Sequence, residues 1–270
     1  LRRLALARTF IAAARSPALS DRQSPLEWRV AENSPAKNLE AARRLAHVDV
    51  LGSLPQKVAP AHTALLVIDM QNDFCAKGGL VDRGGRDVSA VQEMAKNLPA
   101  LIAAAREAGV LVVFVRSLYS TEGNRYLSDV WLEQAARKQG GGYTLTPVCG
   151  ADSWEGDYYE DVRPASGDIV VTKHRYNAFH GTDLDQILRS NGVRSIVVTG
   201  VSTNVCVETT ARDGFIRDYY TILVGDGTAA YSAEEHATTL KTFDRFFGEV
   251  TTIAELRRLW SGGNAQVAAR

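Results

Sequence analysis

Short apolar runs, rich in β-branched residues, recur along the chain and alternate with longer stretches of helical period. The runs are ALLVIDM (64–70), VLVVFVR (110–116), DIVVTKH (168–174), SIVVTGV (195–201), TILVGDG (221–227) and EVTTIAEL (249–256). Between them lie residues 88–109, DVWLEQAARKQ (129–139), TDLDQILRSNG (182–192), NVCVETTARDGFIRDYY (204–220) and residues 232–247. Strands that are continuously apolar, with helices between them, fit a parallel sheet covered on both faces. The expected fold is α/β: a three-layer αβα sandwich around a mostly parallel sheet of about six strands.

Helix signals agree with this reading. Ser232 and Glu235 read as an S-x-x-E capping box. Gly109 and Gly192 stand where helix C-termini should end, and Pro99 divides or kinks the 88–109 stretch. The expected domain spans residues 60–255, followed by a tail over 256–270. Before it, residues 1–59 read as an extension in which Pro17, Pro25, Pro35 and Pro55 break any long element. One short helix, AKNLEAARRLAHV (36–48), is expected within it. Its first stretch carries Arg2, Arg3, Arg8 and Arg15 and no acid before Asp21, the pattern of an organelle transit peptide or of an ordinary amphipathic helix.

Lys and Arg total 31 and Asp and Glu total 31, so no general field draws this chain to nucleic acid or to an anionic membrane. Cys75, Cys149 and Cys206 are an odd, sparse set, which argues against a disulfide scaffold and for a free thiol in a reducing compartment. No run approaches the roughly 20 apolar residues that span a bilayer. The expectation is a soluble intracellular protein, cytoplasmic or, if residues 1–20 are a transit peptide, organellar.

In open parallel α/β sheets, ligands bind beyond the carboxyl ends of the strands. There stand Asp69 after ALLVI, Lys173 at the end of DIVVTK, and Cys206 shortly after SIVVTGV. Taken singly, Asp69 reads as a turn acceptor, Lys173 as part of a solvated KHR cluster, and Cys206 as a small buried hydrophobe. Together they place an acid, an amine and a thiol on one binding edge. A cysteine in the first turn of a helix faces unsatisfied N–H groups, which favour thiolate. The small residues Gly200, Ser202 and Thr203 let the backbone approach a reacting centre and present N–H groups to an oxyanion.

The segments LLVIDMQNDFC, VVTKHRYNAFHGTDL and VVTGVSTNVCVETTARDGF, in that order, resemble the isochorismatase-like cysteine hydrolase superfamily over roughly residues 60–250. The resemblance implies an isochorismatase-like hydrolase fold and a catalytic triad of Asp69, Lys173 and Cys206. It also implies a non-proline cis peptide at Val201–Ser202 and an oxyanion site made by the N–H groups of Ser202 and Cys206. KHRYNAF, RSNGVRSIVVTGVSTNVCVETTARDGF and RFFGEV look most like the ureidoacrylate amidohydrolase branch. The function expected from it is cleavage of a C–N bond in a small amide or ureido compound through a thioester or thiocarbamate on Cys206. Other amides (a carbamoyl amino acid, biuret, a nicotinamide-like amide) and a non-catalytic binding protein of the same fold stand as alternatives. Relatives of this kind are commonly dimers or tetramers, so a homo-oligomer is expected, with a small molecule as partner and neither nucleic acid nor membrane.

Candidate substrate contacts are Asn72, Phe74, Trp131, Arg175, Tyr176 and Phe179, with core packing the alternative for the aromatic residues. No metal or other cofactor is expected. His47, His62, His174, His180 and His236 form no H-E-x-x-H or i, i+4 pair, and no G-x-G-x-x-G or G-K-[ST] occurs. His174 and His180 flank a strand-to-helix loop and are expected to tune or line the pocket.

Overall fold

A computed structural model of the chain describes residues 39–40, 49–137 and 147–267, with residues 262–267 by backbone alone. The chain divides into two units, Leu1–Val50 and Leu51–Arg270, and the architecture below is that of the second. The Arg-rich opening stretch, and the short helix expected over 36–48 apart from Leu39 and Glu40, lie outside the described residues.

The apolar runs form a six-stranded sheet: β1 (Thr63–Ile68), β2 (Leu111–Ser117), β3 (Ile169–Lys173), β4 (Ser195–Val201), β5 (Tyr220–Ala229) and β6 (Glu249–Thr251). Their order is β3-β2-β1-β4-β5-β6, and every neighbouring pair is parallel. The two central strands, β1 and β4, are buried along their whole length. That is why both faces of their sequence are apolar.

Successive side chains of a strand point to opposite faces, and the core is split accordingly. Leu65 and Val67 pack beneath α1 (Ser89–Ala95), α2 (Leu98–Ala108) and α7 (Ile253–Val267). Ala64, Leu66 and Ile68 pack beneath α4 (Leu184–Ser190), α5 (Glu208–Ile216) and α6 (Ala233–Phe246). A further helix, α3 (Asp129–Ala136), is capped by the Ser128 side chain, which accepts from Trp131 N–H. No helix among the described residues is long and apolar enough to cross a membrane.

The helix signals act as local chemistry dictates. Pro99 falls in the first turn of α2, where its missing N–H costs nothing, and the 88–109 stretch is divided at Lys96–Asn97. Gly109 ends α2 at φ 79°, a conformation that favours glycine. At α6 only one half of the expected capping box is made: Ser232 Oγ accepts from Glu235 N–H.

Strand character in EVTTIAEL stops at Thr251, and a helix begins at Ile253. Ile253, Leu256 and Trp260, spaced three and four apart, lie on one side of that helix and are buried in the core. Upstream, Val58 is buried in the same cluster, and its carbonyl accepts from Trp260 Nε1 at 2.9 Å. The last helix therefore ties the entry of the domain to its exit. Trp260→Ala is expected to lower unfolding stability by about 3–5 kcal/mol in urea titrations, the usual cost of truncating a buried aromatic residue. A residue of a dispensable tail would change it by less than about 0.5 kcal/mol.

Candidate active site

With the order 3-2-1-4-5-6, the chain winds outward from β1 in one direction and then from β4 in the other. The crevice lies where the winding reverses, beyond the carboxyl ends of β1 and β4. Asp69 follows β1 directly, Cys206 follows β4 by one turn, Ser117 ends β2 and Lys173 ends β3. The register places Ser117 beside Lys173. Four strands thus deliver a carboxylate, a thiol, a hydroxyl and an ammonium to one place.

The groups are in contact. Lys173 Nζ lies 2.7 Å from Asp69 Oδ2 and 3.5 Å from Cys206 Sγ. It also donates to Ser117 Oγ at 2.8 Å, and Ser117 Oγ donates to Asp69 Oδ1 at 2.9 Å. Lys173, Asp69 and Cys206 are all buried, at 0%, 1% and 7% exposed. The ammonium also faces the Tyr119 ring, 6.0 Å from its centroid. Burial alone would lower the pKa of Lys173, but the charges of Asp69 and Cys206 and the hydrogen bonds to both outweigh it and raise it. The amine is therefore a fixed cation. Asp69 Oδ2 is the oxygen paired with the ammonium, while Oδ1 accepts from Ser117.

The thiolate expected at a helix start is not what this environment favours. Burial pushes the Cys206 thiol up; Lys173 opposes this, while the Asp69 carboxylate adds to it by charge and as hydrogen-bond partner. The cation is already matched by Asp69, and a second buried anion would stand unbalanced. Beside the Asp69–Lys173 pair, the Cys206 thiol is held toward its neutral form.

Close backbone approach shapes the turn. Gly200 has φ 101°, and a Cβ there would fall 2.0 Å from the Ile68 carbonyl oxygen, so only glycine lets β4 pass the end of β1. The Val201–Ser202 peptide bond is cis. Residues Thr203–Val207 then form a π-type turn, closed by Val207 N–H on the Ser202 carbonyl at 3.3 Å, and α5 begins only at Glu208. Asp69 is itself left-handed at φ 52°, a conformation Asp adopts more readily than most residues.

The remaining sequence candidates separate. Trp131 stacks on Tyr119 at 5.7 Å and meets Tyr176 at 4.7 Å, and the Arg175 guanidinium lies over Trp131 at 5.0 Å. Because Tyr119 also faces Lys173, this aromatic tier adjoins the contact set. Arg175 Nη1 is occupied by the carbonyls of Tyr126 and His174, at 2.9 and 2.6 Å. Asn72 Nδ2 donates to the Trp154 carbonyl at 2.8 Å and so holds a loop. The Phe74 ring packs against buried side chains, and its carbonyl accepts from Tyr231 at 3.0 Å. Phe179 is buried against Tyr219 in the core beneath α4 and α5, in the cluster that also holds Cys206. His174 stacks on Tyr126, and His180 is exposed.

Ser117 and Gln71 were not singled out from the sequence. The strand-end rule, applied to β2 as to its neighbours, finds Ser117. Gln71, fully buried, holds it: Gln71 Nε2 donates to the Ser117 carbonyl at 3.0 Å, while Ser117 N–H donates to Gln71 Oε1 at 2.7 Å. No group of His, Cys, Asp and Glu able to hold a metal occurs among the described residues. A cleft of about 460 Å³ lined by His62, Arg106, Asp168 and Asn191 lies at the opposite, amino-terminal edge of the sheet, remote from this chemistry.

Comparison with known proteins agrees with the architecture. The isochorismatase domain model matches residues 63–255. A ureidoacrylate amidohydrolase RutB from Enterobacter sp. (strain 638) is 36% identical over 207 residues, covering 73% of this chain and 88% of that protein. The corresponding protein of Methylobacterium radiotolerans is 37% identical over 213 residues, covering 76% and 83%. Among solved structures, a cysteine hydrolase from Pseudomonas syringae pv. phaseolicola superposes with a TM-score of 0.66 at 31% identity, covering 77% of this chain and 96% of that one. N-carbamoylsarcosine amidase from Thermoplasma acidophilum gives 0.56 at 26% identity, covering 71% and 96%. The chain belongs to the isochorismatase family.

Proposed function

We propose that this protein is a cysteine-dependent amidohydrolase that cleaves a C–N bond in a small amide or ureido substrate of the ureidoacrylate kind, through a covalent adduct on Cys206. The observation that carries the reading is the contact set in which one buried ammonium lies 2.7 Å from a carboxylate and 3.5 Å from a thiol. Similarity to ureidoacrylate amidohydrolases supports the substrate class. Similarity to N-carbamoylsarcosine amidase favours carbamoyl amino acids as a second reading.

Because the thiol rests neutral, the first step is proton transfer. Asp69 takes the proton of Cys206, and Lys173, held by Ser117, balances the thiolate that results. Sulfur attacks the carbonyl carbon, and the N–H groups of Ser202 and Cys206 receive the oxyanion. Collapse re-forms the carbonyl and breaks the C–N bond, and Asp69 gives its proton to the departing nitrogen. A thioester, or a thiocarbamate from a ureido group, is left on sulfur. Water then attacks, losing its proton to Asp69. The C–S bond breaks, the acid departs, and the proton returns to sulfur. Trp131 and Tyr176, both partly exposed, offer aromatic surface for a flat substrate, with Arg175 over Trp131 for a carboxylate.

Cys206→Ala and Cys206→Ser are expected to abolish turnover, and intact mass after soaking with a slow substrate should show one acyl or carbamoyl group on the wild type. Full activity of the alanine variant would reject the mechanism. Ser117→Ala removes the bridge between the two charges and should lower kcat roughly 10- to 100-fold, the worth of a buried hydrogen bond to a charged group. In alkylation by iodoacetamide against pH, the Cys206 midpoint should lie above the ordinary thiol value of about 8.5. Asp69→Asn should move that midpoint down while destroying turnover, because the carboxylate raises the thiol and also serves as its base. A midpoint unmoved or raised by Asp69→Asn would contradict the assigned electrostatics.

A further inference from the structure

The turn that carries Cys206 is gripped by α6, a helix that supplies none of the triad. His236 Nδ1 lies 2.8 Å from Thr203 Oγ1, and Thr239 Oγ1 donates to Glu208 Oε2 at 3.3 Å. His236 and Thr239 are three apart and so share one face of the helix. Thr203 and Glu208 bracket Cys206 in sequence. The carboxylate of Glu208 is steadied in turn by Arg212, whose Nε donates to Oε1 at 3.0 Å. Thr203 is fully buried, so its hydroxyl depends on this partner, while His236 is half-buried at the edge.

A π-type turn is rare and recurs at functional sites. Its pitch differs from that of the α-helix that follows, and relaxation to α pitch would rotate residue 206 about the turn axis. Both the sulfur and the amide N–H of Cys206 would then be misdirected. A displacement of about 1 Å at a reacting centre can cost on the order of 100-fold in rate.

We propose that His236 is a positioning residue, assisted by Thr239, whose hydrogen bond to Thr203 sets the pitch of the 203–207 turn and thereby the aim of Cys206. The effect on turnover rests on the hydrolase reading above; the effect on the thiol does not.

The experiment compares His236→Leu, Thr203→Val, the double variant and His236→Asn, the last placing an amide near the position of Nδ1. His236→Leu and Thr203→Val should each lower kcat about 10- to 100-fold and change KM less than about threefold. The double variant should be no worse than either single one, because the same interaction is lost. His236→Asn should regain most of the rate. Alkylation of Cys206 by iodoacetamide at one fixed pH, followed by peptide mass, should slow in the same order without any substrate. Wild-type alkylation and turnover in both single variants would overturn the proposal. So would losses that simply follow a falling Tm and that His236→Asn does not reverse. If the wild type hydrolyses no amide while the alkylation order holds, the hydrolase reading fails and the positioning role stands.

Discussion

The buried ion pair between Asp69 and Lys173 is the interaction on which the site depends. Two charges removed from water cost several kcal/mol each, and their attraction offsets this only with close geometry and further hydrogen bonds. Ser117 supplies those bonds by bridging the pair, and the Tyr119 ring faces the ammonium. Once the pair is neutral overall, no charge is left to support a second anion at rest. The protonation of Cys206 follows from that balance more than from its place at the start of a helix.

The surrounding fold can be read as the means of keeping that pair dry and aligned. Four strand ends meet at the one place where the winding of a parallel sheet reverses. Gln71 pins the end of β2 through both backbone groups of Ser117. Gly200 lets β4 cross the end of β1 at a distance no side chain permits. On the far side, α6 holds the turn from Thr203 to Glu208 at both ends. Positions in α6 and at the carboxyl ends of β1 and β4 therefore bear on the same geometry.

Much of this was legible in the chain itself, for a local reason. Continuous apolar runs such as ALLVI and SIVVTGV have no solvated face, so they belong inside a parallel sheet, and the groups at their carboxyl ends belong at its edge. Asp69, Lys173 and Cys206 were found by that rule and by resemblance. Ser117 was open to the same rule. The surroundings of Phe179 were not legible: an aromatic residue beside a strand end can pack in many ways, and only the fold places it against Tyr219 beneath α4 and α5. The run EVTTIAEL carries two periods in succession, strand and then helix, so the packing of Leu256 and Trp260 in the core was not legible from it.

The sequence by itself determined the class of fold, the order of strands and helices, and the three groups at the sheet edge. Those follow from periodicity and from residue chemistry, which act over a few positions. Tertiary structure alone decided the protonation of the thiol, the bridging hydroxyl of Ser117, the clamp of Gln71 and the grip of His236 on Thr203. Each depends on which side chains, dozens or more residues apart in the chain, share a space without water. Burial and charge balance are properties of that space and cannot be read from one stretch of sequence.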